Sequence, residues 1–123
     1  MKDIDDRKDL EQLVTRFYDQ VKTDQQIGPF FTEIADINWP EHIQKITNFW
    51  ETTLLGNITY HGNPMAPHFK INEIRVIKKE DFAQWISLFT RTVDSLFEGE
   101  NANTLKERAK SIALLMEFKV TQQ

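Results

Sequence analysis

The chain contains no cysteine, only four glycines and four prolines, and no cluster of lysine or arginine. The absence of cysteine excludes disulfides, thiolate zinc sites and iron–sulfur clusters, and it suits a reducing compartment. The formal net charge of −4 argues against nucleic acid as a partner, because phosphate backbones bind to concentrated positive charge.

Long apolar runs are missing as well, since no stretch approaches the ~18 apolar residues of a membrane-spanning helix. The N-terminal sequence MKDIDD is acidic where a secretory signal would be basic, so the sequence predicts a cytoplasmic protein with no membrane partner. The 123 residues are 40% hydrophobic and include nine phenylalanines and three tryptophans. This supply of apolar side chains predicts one domain over residues 1–123 with one core.

Apolar residues recur at three- and four-residue spacing in four segments, which predicts an all-α fold. The first helix is predicted to have Asp9 as its N-cap and to end near Thr23, and the second to start at Asn38. Gly99 is predicted to stop the third helix, and Thr104 to start the fourth. Between Gly56 and Lys79 the spacing is interrupted by glycine and proline. This stretch is therefore predicted to be a loop with a turn or two of helix.

Four residues stand out because each is costly to bury without a hydrogen-bonding partner. Tyr18, His42 and Trp85 fall on the apolar faces of three predicted helices, and His68 lies in the loop. One large ligand in contact with all of them would explain the arrangement. Ordinary core packing of satisfied side chains would explain it too, and periodicity leaves both explanations open.

The residue inventory narrows the possible chemistry. His42, His61 and His68 show none of the local pairing typical of zinc or non-haem iron sites. Cysteine–histidine catalysis is excluded, and neither a serine nucleophile motif nor a phosphate-binding glycine loop is present. Haem differs because a single histidine and an apolar slot suffice to hold it, and this chain has both.

Several short segments resemble, in order, those of the group III truncated haemoglobins. They are Phe17-Tyr18, Ile27-Gly28-Pro29-Phe30-Phe31, Glu41-His42, Asn48-Phe49-Trp50, Leu54-Leu55-Gly56, Gly62-Asn63-Pro64-Met65-Ala66-Pro67-His68 and Trp85-Ile86-Ser87-Leu88-Phe89. The resemblance extends roughly from Asp9 to Val120. It implies a truncated globin, with a two-over-two helical sandwich around haem b, that is, iron protoporphyrin IX.

The resemblance also implies roles for particular residues. His68 corresponds to the proximal ligand of the iron, whereas His61 is unmarked in the family pattern and is expected at the surface. The distal, ligand-binding residues are Tyr18, His42 and Trp85, and the residues expected to contact the porphyrin are Phe31, Ile46, Phe49 and His68. For His42 three roles remain open: a swinging gate, a hydrogen-bond donor, or an exposed side chain.

Three functions from different classes follow. The leading one is reversible binding or transport of oxygen, or of another small diatomic ligand such as nitric oxide or carbon monoxide, at a histidine-ligated iron. The alternative is a haem-dependent enzyme that uses oxygen or peroxide, nitric oxide dioxygenase-like or peroxidase-like, with a reductase as electron donor. A haem-free helical interaction module is the third, and it would be colourless where a haem protein absorbs strongly in the blue.

Overall fold

The computed structural model describes residues 1–34, 37–60 and 76–121, and every regular element in those ranges is helical. Four α-helices are present there: α1 (Arg7–Thr23), α2 (Trp39–Trp50), α3 (Lys79–Leu96) and α4 (Glu100–Thr121). Two π-helical turns accompany them, Phe30–Ile34 before α2 and Glu51–Leu55 directly after it. The predicted all-α class is confirmed.

Helix α1 begins earlier than predicted. Asp6, not Asp9, is its N-cap, and the Asp6 side chain accepts a hydrogen bond from the Asp9 backbone N–H. Asp9 lies one turn inside, where its carboxylate accepts the Asp5 N–H at 2.9 Å and pairs with Lys2 at 2.7 Å. The two aspartates stand three residues apart, so a local capping pattern fits either of them, and the prediction of Asp9 is wrong.

Helix α4 also begins earlier, at Glu100 rather than Thr104, because its cap comes from the other end of the chain. The Asp3 carboxylate accepts the backbone N–H groups of Asn101 and Ala102, each at 2.9 Å. Burial alone would raise the pKa of Asp3, but these hydrogen bonds to the ionised carboxylate outweigh it and lower the pKa. A cap supplied from so far along the chain leaves no mark in the local sequence around Thr104.

Gly99 does not terminate α3 as predicted. The helix ends at Leu96 and Phe97 is extended, whereas Gly99 has a φ of +146° just before α4. A Cβ atom at position 99 would lie 2.5 Å from Cγ of Asp3. Glycine is needed there because the Asp3 cap approaches the backbone too closely for any side chain.

The helices pack against one another in a continuous set. Helix α1 packs against both α2 and α3, and α3 packs against α4. The fully buried side chains at this centre come mainly from α1 and α3. They are Leu10, Leu13, Val14, Phe17 and Val21 in α1, and Phe89 and Val93 in α3. Within the described residues, no helix is long and apolar enough to cross a membrane.

A polar network joins the start of α1 to the end of α2. The Arg7 guanidinium donates to Asn48 Oδ1 at 2.7 Å and to Glu51 Oε1 at 2.8 Å. Glu51 is only 7% exposed and also accepts the Thr59 hydroxyl at 2.9 Å. Burial raises the pKa of Glu51, but the Thr59 and Arg7 hydrogen bonds lower it further than burial raises it. The network holds the ends of the two helices in one orientation.

Candidate functional site

Tyr18 is the buried centre of an aromatic cluster between α1 and α2. Its side chain is 4% exposed and follows Phe17, whose ring lies 5.0 Å away, centroid to centroid. Both side chains lie on the broad apolar stripe of α1, which packs against two other helices. Burial raises the pKa of the Tyr18 phenol far above its ordinary value, so the hydroxyl stays protonated and remains a hydrogen-bond donor.

His42 and Phe31, both singled out from the sequence, meet Tyr18 in this cluster. The His42 ring lies 4.9 Å from the Tyr18 ring in an edge-to-face arrangement, and the Phe31 ring lies 5.8 Å from it. His42 is partly buried, and its Nε2 atom is among the buried polar atoms. The N-cap at Asn38 determines where α2 starts and thereby which face of the helix His42 occupies.

Trp85 joins the same cluster from α3. Its ring lies 5.6 Å from Phe17 and stacks on Phe89 at 5.5 Å with an interplanar angle of 8°. The Phe17 ring therefore contacts both Tyr18 and Trp85, the two candidate donors that the sequence placed on different helices.

Ile46 and Phe49 follow His42 along one face of α2, at four- and seven-residue spacing. Both are partly buried and pack against the core, and the Phe49 ring also contacts Trp50 at 5.0 Å and Tyr60 at 5.3 Å. The structure therefore brings the predicted apolar residues of α2 onto the helix face that carries His42.

The two remaining candidate histidines, His61 and His68, lie outside the described residues. Within the ranges that the structure describes, no three or more His, Asp or Glu side chains are grouped so that they could hold a metal ion. Ligation of a metal by His68 stays a prediction.

Two residues of the cluster were missed by sequence reasoning. The Trp39 ring lies 5.5 Å from Tyr18 and 5.7 Å from His42, and the Lys22 ammonium lies 4.3 Å from the centroid of that ring. A signal was present in the spacing, because Lys22 follows Tyr18 by four residues and Trp39 precedes His42 by three. The periodicity placed Trp39 on the apolar face but did not single it out.

The described residues fit a flat apolar cofactor with a polar ligand on the Tyr18 side. Large apolar side chains on adjoining elements pack against the core yet remain only partly buried: Phe31, Trp39, Ile46, Phe49 and Trp85. Such a set is what a cofactor ring would cover. The protonated Tyr18 hydroxyl and the Trp85 indole N–H supply donors within the same cluster.

Comparison with known proteins gives consistent matches along nearly the whole chain. A family model described as bacterial-like globin matches residues 3–120. The group 3 truncated hemoglobin ctb of Campylobacter jejuni is 32% identical over 110 residues, which cover 87% of this chain and 84% of that protein. The crystal structure of a group III truncated hemoglobin from Campylobacter jejuni superposes with a TM-score of 0.84 at 30% identity, covering 98% of this chain and 95% of that one.

Proposed function

The chain belongs to the bacterial-like globin family, among the group III truncated haemoglobins, and on that premise we propose that it holds haem b and reversibly binds oxygen or another small diatomic ligand. Globins are haem proteins that bind small diatomic gases, so the general function follows from membership. Haem, when bound, supplies an iron atom with one face open to such a ligand. The particular ligand and the particular residues are the proposal.

His68 is proposed as the protein ligand of the iron, on the strength of the family-like segment Gly62 to His68. A single histidine nitrogen is the one strong point of attachment in a slot that is otherwise apolar. Its other ring nitrogen is then available for a carbonyl or water that orients the ring. Phe31, Ile46 and Phe49 are proposed as the apolar contacts of the porphyrin, since all three are partly buried beside the cluster.

The buried Tyr18 side chain, whose hydroxyl stays protonated and whose ring contacts the His42 ring, is the observation that carries the proposed ligand chemistry. Oxygen held by ferrous haem would carry partial negative charge, whereas carbon monoxide would carry little. A donor in a site that excludes water stabilises the charged ligand selectively. Trp85 is proposed as a second donor, because its ring is linked to Tyr18 through Phe17.

A second candidate function is turnover, nitric oxide dioxygenase-like or peroxidase-like, with a reductase as electron donor. The observation that favours it is the presence of two donors, Tyr18 and Trp85, against one phenylalanine ring. Paired donors can polarise an O–O bond as well as retain oxygen. Oxygen transport and a cytoplasmic location stay predictions from the sequence.

The first experiment is reconstitution. The protein purified with added haem should show an intense absorption band in the blue region that shifts on reduction and on exposure to carbon monoxide. Oxygen dissociation and nitric oxide consumption, measured on one preparation with a reductant, then separate binding from turnover. A colourless protein that takes up no haem would overturn the proposal and favour the interaction module.

The proximal assignment has its own test. His68→Ala should fail to retain stoichiometric haem because it removes the axial bond. His61→Ala and His42→Ala are matched controls, since each removes an imidazole that is not proposed to ligate the iron. If His68→Ala retained haem and one of the controls lost it, the iron ligand would be the histidine replaced in that control.

A further inference from the structure

Lys22 and Trp39 form a contact that none of the proposed roles uses. The Lys22 ammonium lies 4.3 Å from the centroid of the Trp39 ring, which is cation–π distance. Lys22 is in the last turn of α1, and Trp39 is the first residue of α2. The contact therefore joins the end of one helix to the start of the next.

The position of Trp39 relative to Tyr18 gives the contact a consequence. Tyr18 is 4% exposed, whereas Trp39, His42 and Phe31 are partly exposed and all contact its ring. These three partly exposed rings form a layer beside Tyr18, here called the ring layer. The Trp39 ring also contacts the His42 ring at 5.7 Å. A displacement of the Trp39 indole would therefore remove a contact from both Tyr18 and His42.

Lys22 is suited to restrain that indole. Its apolar stem can lie along the partly buried surface while the ammonium stays close to water, so both ends of the side chain are satisfied. Its location in the last turn of α1 also places positive charge near the negative end of the helix dipole. Helix α1, which carries Lys22, packs against both α2 and α3 and so holds the cation over the Trp39 ring.

We propose that Lys22 and Trp39 act as a clasp, a pair of positioning residues that keeps the ring layer closed and limits the rate at which a diatomic ligand reaches Tyr18. The inference rests on the proposed function for its kinetic consequence, because the ligand is the species whose passage is limited. Its structural basis, the ammonium over the indole, is a property of the polypeptide itself. The two parts can therefore be tested separately.

The structural part is tested by proton NMR on the protein without ligand. Protons on the Lys22 side chain next to the ammonium should be shifted upfield by the Trp39 ring, and Trp39→Leu should remove that shift. Lys45 provides the reference, because it is exposed and pairs with Glu41 at 3.3 Å instead of with a ring. Absence of an upfield shift at Lys22 in the parent protein would overturn the clasp.

The kinetic part is tested by carbon monoxide rebinding to the haem-loaded protein after flash photolysis. Lys22→Met keeps the apolar stem and removes the cation, so the association rate should rise about two- to fivefold, the effect expected for losing one partly exposed cation–π contact. Lys22→Arg should restore the parent rate. Lys45→Met makes the same charge change on α2 and should leave the rate unchanged.

A double-mutant cycle assigns the effect to the pair. Trp39→Leu should also speed association, and adding Lys22→Met to it should have no further effect, because the partner of the cation is already gone. Trp39→Phe, which keeps a smaller ring and a weaker partner for the cation, serves if Trp39→Leu unfolds, and Lys22→Met should then add a smaller effect than it has in the parent. The clasp would be overturned if carbon monoxide associated with Lys22→Met at the parent rate or more slowly. Failure of the parent to take up haem would instead overturn the proposed function, and the NMR result would then decide the contact.

Discussion

At the scale of single residues, the aromatic cluster around Tyr18 concentrates donors that would be costly to bury for packing alone. The Tyr18 hydroxyl stays protonated because burial raises its pKa, and it is surrounded by rings at 4.9 to 5.8 Å from its own. A donor of this kind distinguishes ligands by the charge that they carry. The test of its role is therefore selectivity between oxygen and carbon monoxide.

Tyr18→Phe removes the hydroxyl and conserves the ring, so the packing of the cluster should survive. Oxygen dissociation should become roughly ten- to a hundredfold faster, since a hydrogen bond to a charged group is worth about 1.5–3 kcal/mol and about 1.4 kcal/mol is a factor of ten. Carbon monoxide dissociation should change little. Stopped-flow displacement of each gas measures both rates.

The other tyrosine supplies the control for this prediction. Tyr60 packs on Phe49 near the end of α2, and Tyr60→Phe should leave oxygen dissociation at the parent rate. Trp85→Phe should act in the same direction as Tyr18→Phe, and the double mutant should be non-additive if both donors serve one ligand atom. If Tyr18→Phe and Trp85→Phe both released oxygen at the parent rate, the two side chains would serve only to pack the cluster.

His42 differs from Tyr18 because it is partly exposed and carries no proposed bond to iron. His42→Ala should retain haem and raise the association rates of oxygen and carbon monoxide about fivefold or more, the change expected when a barrier of about 1 kcal/mol is removed. Flash photolysis measures both rates. Unchanged association and dissociation for both gases would leave His42 with neither the gate nor the donor role.

At the scale of elements, the helices are held in place by polar contacts from distant parts of the chain. Asp3 caps α4 through Asn101 and Ala102, and Arg7 joins α1 to Asn48 and Glu51 at the end of α2. Both contacts satisfy groups that a helix end or a buried carboxylate would otherwise leave unpaired. Helix placement, and with it the geometry of the ring cluster, depends on them.

Asp3→Ala tests the long-range cap. Loss of a capping side chain should lower the free energy of unfolding by about 0.5–2 kcal/mol, because two backbone N–H groups of α4 lose their acceptor. Urea titration followed by circular dichroism measures the change. Asp5→Ala is the matched control, since the exposed Asp5 side chain pairs with the exposed Lys2, at 3.2 Å, and its loss should cost little.

At the scale of the whole molecule, the carboxylates of these contacts make stability depend on acid. A further carboxylate, that of Asp24, accepts the Ile27 backbone N–H at 2.9 Å and the Gln84 side-chain N–H at 2.8 Å. The pKa values of Asp3, Asp9 and Asp24 are lowered from 3.8, and that of Glu51 is lowered from 4.5. In each case burial is the largest single influence and acts upward. Hydrogen bonds to the ionised form outweigh it, together with a nearby positive charge at Asp9, Asp24 and Glu51. The folded protein therefore releases these protons more readily than the unfolded chain.

The melting temperature should accordingly be steady above about pH 5 and fall as the pH drops below it. With lowered pKa values in the folded state, the unfolded chain binds more protons in the acid range, so the stabilisation is fully present above the unfolded values and is lost as the pH falls through the folded ones. Thermal melts followed by circular dichroism, with and without haem, measure this. In Asp3→Asn the melting temperature should fall less steeply as the pH drops. If that fall is unchanged in the variant, other groups cause the acid dependence.

The sequence by itself determined the helical class and much of the helix pattern, because apolar periodicity and nearby caps are local properties. The start of α2 at Trp39 after Asn38 was predicted correctly, since cap and proline lie within three residues. The apolar periodicity also placed Tyr18, His42 and Trp85 on the apolar faces of their helices, and the family resemblance assigned them to one pocket. The ring contacts between Tyr18 and His42 and from Phe17 to Trp85 agree with that grouping.

Only the tertiary structure decided which groups meet across long stretches of chain. The predicted start of α4 at Thr104 is wrong because the cap is Asp3. The spacing aligns Lys22 with Tyr18 and Trp39 with His42 within each helix, but it does not indicate that the two helices bring the cation onto the ring. Periodicity specifies the face on which a side chain lies, but the crossing of the helices specifies what that face touches. Packing of α1 against both α2 and α3 sets that crossing, and with it the layer of rings over Tyr18.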